Sequence, residues 1–75
     1  MIPYKNFGGD SGIHAYELSE DCITIMFNDD SVYLYTYEST GKDNIEHMKA
    51  LAVTGVGLNS FISRIIKKKY DSRLK

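Results

Sequence analysis

Residues 22–37 constrain the fold more than any other stretch. Cys22–Phe27 alternates, with Ile23, Ile25 and Phe27 on one side of an extended chain and Cys22, Thr24 and Met26 on the other. Residues 32–37 alternate again and are rich in strand formers, with Tyr33, Tyr35 and Tyr37 sharing a side. Asn28-Asp29-Asp30-Ser31 between them is turn chemistry, so the stretch reads as a β-hairpin. Its register is open. A two-residue loop at Asp29-Asp30 pairs Phe27 with Val32 and Ile25 with Leu34, leaving the tyrosines opposite the isoleucines. A three-residue loop with Asp30 left-handed pairs Ile25 with Tyr33 and Ile23 with Tyr35, which puts the tyrosines and isoleucines together. One residue of slip therefore decides whether the tyrosines are core or surface.

Around this hairpin the signals are coarser. Residues 1–11 form a polar, glycine-containing lead-in, ordered where Tyr4 or Phe7 can dock. A strand over residues 12–18 follows, and Ser19-Glu20-Asp21 turns the chain, because short polar side chains bond their own backbone there. After the hairpin, a helix is expected to start near Thr40 with Asp43 three residues on, a variant of the capping box. Ile45, Met48, Leu51 and Ala52 line one face of it, and Gly55 ends it in the left-handed conformation. A second helix beginning near Leu58 carries Leu58, Phe61, Ile62, Ile65 and Ile66 as its apolar stripe, with Ser63, Arg64, Lys67, Lys68 and Asp71 outside. The expected fold is α+β: a three-stranded antiparallel β-meander followed by two helices packed on one face, forming a single domain over residues 1–75.

A chain of 75 residues buries only roughly 60% of the surface its unfolded form exposes, so its stability is modest. Cys22 is the sole cysteine, which excludes an internal disulfide and offers no paired spacing for a zinc site. Residues 1–5 lack the apolar run of a secretory signal, and no stretch approaches ~18 consecutive apolar residues. The expectation is a cytoplasmic protein with no membrane partner, no metal and no cofactor. Charge is unevenly spread: residues 61–75 carry Arg64, Lys67, Lys68, Lys69, Arg73 and Lys75 against Asp71, a local +5, while the first 60 residues sum to −6. Such asymmetry points to an acidic partner for the tail, or to cations complementing a helix C-terminus.

No catalytic constellation emerges. Gly8-Gly9-Asp10-Ser11-Gly12 echoes the stretch around a serine-protease nucleophile, but the chain is far too short for the barrels that carry a triad. It reads as a flexible glycine loop. Gly55-Val56-Gly57 follows a helix, whereas dinucleotide binding needs strand, glycine loop and helix in that order. His14 and His47 lie far apart with no matching nucleophile, and Asp29 and Asp30 diverge in a turn. The chain is therefore expected not to be an enzyme. What survives is aromatic plus basic: Tyr33 and Tyr35 on the sheet, with Arg64, Lys67, Lys68 and Arg73 along the last helix. Bases stack on exposed aromatic planes and phosphates attract cations, so RNA is the candidate partner. The alternative is a protein-interaction module or homodimer through the outer sheet face, where Cys22, Met26 and Leu34 would form an apolar patch.

Ala15-Tyr16-Glu17, Ile23-x-Ile25-x-Phe27, Tyr33-x-Tyr35, the small-residue helix around Ala50 and Ala52, and Gly55-x-x-x-Asn59 together resemble the KTSC domain. That short domain is found at the C-terminus of some lysyl-tRNA synthetases and as a free-standing bacterial protein. The resemblance covers roughly residues 11–70. It departs at Asp30, where the family has a turn glycine, at Glu38-Ser39-Thr40, which lacks the family's Val-Pro step, and in a last helix about one turn longer. It implies little chemistry by itself, and RNA binding is the usual suggestion for the family. It also favours the three-residue loop, with Tyr33 and Tyr35 facing the helices beside Ile23, Ile25 and Phe27, and Leu34 pointing outward.

Overall fold

A computed structural model describes residues 1–9 and 12–75 of the chain. The hairpin forms from β3 (Cys22–Phe27) and β4 (Val32–Thr36). Ile23 pairs with Tyr35 and Ile25 with Tyr33, the register of the three-residue loop. Two local interactions set it. Asp30 takes a left-handed φ of 69°, and the Asp29 carboxylate accepts both the N–H and the hydroxyl of Ser31. The hydroxyl, then the N–H, hold the Asp29 carboxyl below its ordinary pKa. Asp is among the few side chains that tolerate φ > 0, which is why this turn closes without glycine. Ile23, Ile25 and Tyr35 consequently share one face and are nearly inaccessible to solvent.

β2 (Ile13–Leu18) pairs antiparallel with β3 and carries a bulge between Ile13 and Ala15. The extra residue shifts the pleat, so that Ile13 and Tyr16 both face the core despite their odd spacing. The sheet has five strands rather than the expected three. β1 (Ile2–Pro3) extends it beside β2 and β5 (Ser72–Arg73) beside β4, in the order β1-β2-β3-β4-β5. Both additions are two-residue edge strands, too short to show any alternation, and Pro3 sits where an edge strand accepts it.

The helical part also differs from expectation. A one-turn helix α1 (Tyr37–Thr40) follows β4 directly, with Thr36 and Ser39 forming a reciprocal capping box. The cap is therefore Thr36–Ser39, not Thr40–Asp43. Thr40 is buried and its hydroxyl donates to the Lys69 carbonyl at 2.7 Å. Gly41, at φ 99°, breaks the chain into α2 (Lys42–Thr54), and Gly55 closes α2 with a left-handed cap whose N–H reaches the Leu51 carbonyl. Ile45, Met48 and Ala52 of α2 lie on the sheet with Ile23, Ile25 and Tyr35, each fully buried Ile or Met contributing about 1.5–3 kcal/mol. Beside them, the Tyr37 hydroxyl lies 2.7 Å from Glu46 Oε2 and 3.1 Å from the Glu20 carbonyl. Lys49 donates to the same carbonyl at 2.7 Å, which staples α2 to the turn before β3.

α3 (Leu58–Phe61) runs straight into a π-helical turn over Ile62–Ile66. Leu58, Ile62 and Ile66 point inward at a spacing of four, whereas Ile65, expected in the stripe, is 51% exposed. The wider turn accounts for this, since it rotates the residue before Ile66 off the buried face. The helix also stops at Ile66. Lys67 adopts φ 54° and ψ −119°, so Lys67 and Lys68 belong to the turn after the helix rather than to its solvent side.

Candidate nucleic-acid interface

β5 lies along β4 because the Asp71 N–H reaches the Leu34 carbonyl and the Leu74 N–H the Val32 carbonyl, both at 2.7 Å. Arg73 is the direct cross-strand partner of Tyr33. Directly opposed residues project to the same side, and the Arg73 guanidinium sits 5.6 Å from the Tyr33 ring centroid. Its Nε also donates to the Lys75 carbonyl at 3.0 Å. Tyr33 meets Tyr70 at 4.6 Å and Phe27 at 5.7 Å, and Tyr70 meets Tyr35 edge-on at 6.3 Å. Of the two candidate tyrosines, Tyr35 is core, 2% exposed, and Tyr33 is half-buried beneath Arg73. Burial pushes the Tyr35 hydroxyl up to about 12. Neither ring lies open as a stacking plane.

Arg64, Lys67, Lys68 and Lys69 are exposed. Among the described residues the ion pair within 4 Å is Lys49–Glu46, so these cations have no carboxylate partner. The structure thus brings Tyr33 and Arg73 together and leaves Arg64, Lys67 and Lys68 on the solvent side of the helix end and its turn. On the opposite face of the hairpin, Cys22, Met26 and Leu34 are half-buried beside the buried Ala15 and Val32.

His14 and His47 are exposed, and the His47 ring meets Phe61 at 4.5 Å with the planes tilted by 42°. Among the described residues no three His, Cys, Asp or Glu side chains are grouped to hold a metal ion, and no helix is long and apolar enough to cross a membrane. Asp10 and Ser11, the centre of the glycine loop, lie outside the described residues.

Of the two aromatic residues expected to dock the lead-in, Tyr4 is buried and Phe7 is not. It is the most exposed large hydrophobic side chain described, at 71%, and it lies on Gly55, where an added Cβ would come within 3.1 Å of the ring. The signal was a lone aromatic in a glycine-rich, polar lead-in, where no strand or helix partner is available to cover it. Comparison with protein-family models, curated proteins and solved structures returns no match to this chain.

Proposed function

We propose that the chain is a small, non-enzymatic, cytoplasmic binding module of KTSC type whose ligand is RNA, held through its phosphates by the cationic C-terminal segment. The observation that carries this reading is the set of six cations in residues 61–75, none of which makes an ion pair within 4 Å among the described residues. A protein that had no use for such charge would be expected to pair or disperse it. The buried tyrosines act here as the pedestal under Arg73, and the phosphate contacts fall to Arg64, Lys67, Lys68 and Arg73. Affinity for a short single-stranded RNA should fall linearly with salt on a log–log plot, with a slope of about −0.7 per phosphate contacted. Replacing Lys67 and Lys68 by alanine should reduce that slope by about 1.4 with the fold intact. Absence of binding at low salt, where this attraction is strongest, overturns the reading.

The half-buried Cys22, Met26 and Leu34 support a second reading, an interface with a protein or a second copy of the chain. In that case Met26→Ala with Leu34→Ala abolishes partner binding or dimer formation in sedimentation, and salt has little effect.

A further inference from the structure

A cleft of about 230 Å³ opens between the N-terminal segment at residues 4–8 and the connection from α2 to α3 at residues 56–60. We infer that this cleft takes the ribose of a ribose phosphate unit, with Asn59 and Ser60 on the sugar hydroxyls and Arg64 on the phosphate. The inference rests on the RNA reading above and deepens it, because it makes the module select RNA over DNA.

Backbone contacts build the cleft. Tyr4 is tied by its N–H to the His14 carbonyl, and its hydroxyl accepts the Leu58 N–H at 3.3 Å, which holds the two segments together. Gly57, at φ 87°, turns the chain into α3 and leaves its side of the cleft without a Cβ. Three side chains then offer polar groups with unused capacity. The Asn59 amide and the Ser60 hydroxyl have no hydrogen-bond partner among the described residues, and the hydrogen of the Tyr4 hydroxyl has no acceptor there. Asn59 is half-buried, so its amide gives up hydration without a partner, and a ligand that bonds to it restores what is lost.

The lining sets the chemistry of the ligand. Among the described residues it contains no charged side chain, so the group inside the cleft is neutral. Its aromatic residue, Tyr4, is 7% exposed and offers no open ring face, which disfavours a flat base. A hydroxyl both donates and accepts, so it suits an amide, a second hydroxyl and a phenol hydrogen alike. Several hydroxyls on one small neutral ring describe a sugar. Charge is supplied just outside. Leu58, Ile62 and Ile66 recur every four residues on the inward side, so Ser60 and Arg64, each two places on, also share one line along the helical stretch. Arg64 is exposed and has no carboxylate partner among the described residues. A neutral polar cleft with a cation one turn away matches a sugar joined to a phosphate. In RNA that sugar carries the 2′-hydroxyl that DNA lacks.

The test compares labelled eight-nucleotide strands of uridylate and deoxyuridylate, at low salt, on the full chain. The ribose strand should bind about 10-fold tighter, the scale of one or two net hydrogen bonds. Both strands should show the same salt slope, because they carry the same phosphates. Asn59→Ala with Ser60→Ala should bring the two strands to one affinity and leave the slope alone. Arg64→Ala should weaken both strands, lower the slope by about 0.7 and keep their ratio, and an unchanged slope overturns Arg64 as the phosphate partner. Equal affinities in the parent overturn the ribose and leave the cationic reading standing, and a preference that survives the double variant overturns the cleft. Failure of both strands to bind overturns the cationic reading, and ribose 5-phosphate against 2-deoxyribose 5-phosphate then decides the cleft. A larger shift of the Asn59 side-chain amide resonances with the first upholds it, and equal shifts or none overturn it.

Discussion

On the helix side of β4, Tyr33, Tyr35 and Tyr70 pack against one another, and Tyr35 keeps 2% of its surface. On the loop after α2, Phe7 keeps 71% of its own over a bare glycine. The two regions use aromatic rings for opposite ends. A ring enclosed by Ile23, Ile25 and α2 returns its hydrophobic transfer energy to folding. A ring left in water returns almost none, and is available to whatever binds.

Truncation should separate them most sharply. Tyr35→Ala should cost about 3–5 kcal/mol in urea unfolding, by analogy with other large aromatic deletions in cores. A domain of this length holds only about 4–11 kcal/mol in all, so that variant is expected to be partly unfolded at 37 °C. Phe7→Ala should stay within about 0.5 kcal/mol of the parent. Comparable losses at the two sites would break the contrast and make Phe7 a structural residue.

Most of what makes Tyr35 core was legible in the sequence. Alternation located β3 and β4, and the turn chemistry of Asp29, Asp30 and Ser31 narrowed the register to two, of which the three-residue loop is found. Elements without a period were not legible. β1 and β5 span two residues each, and α1 spans one turn, so nothing in their sequences rises above the surrounding loop. Ile65 misled because a 3.6-residue period was applied to a π-helical turn. The aromatic-plus-basic pattern was visible, but only Arg73 and Tyr33 converge. The bond from the Leu58 N–H to the Tyr4 hydroxyl was invisible, since the two residues are 54 positions apart and meet only through the fold.

Strained backbone offers a smaller lever on the same contrast. Lys67, at φ 54° and ψ −119°, and Asp30, at φ 69°, both hold conformations that favour glycine. Lys67→Gly should raise stability by about 1 kcal/mol, and Asp30→Gly by about half that, because Asp tolerates the left-handed region better than Lys. For a domain of this size the first change is about 4–8 °C in Tm. Lys67→Gly should simultaneously weaken RNA binding, so stability and affinity move in opposite directions at one position. A loss of stability in Lys67→Gly would show that its side chain, not its backbone, holds the turn.

The smallest effect distinguishes two tyrosines only two positions apart. Tyr35 and Tyr37 are both pushed up to about 12, for different reasons: Tyr35 chiefly by burial, Tyr37 chiefly by donating its hydroxyl to Glu46. The same bond draws the Glu46 carboxyl below its ordinary value. An unfolded tyrosine ionises near 10. Both groups therefore leave stability unchanged below pH 10, and both remove it as pH rises from 10 through 12, where the unfolded chain has lost protons that the folded chain retains. Absorbance titration should show the Tyr35 and Tyr37 phenolates forming near pH 12. Glu46→Ala removes the acceptor and its charge, so Tyr37 should return towards 10 while Tyr35 stays near 12. If both move together, burial does not hold Tyr35, and its ring is more open to solvent than its packing against Tyr70 implies.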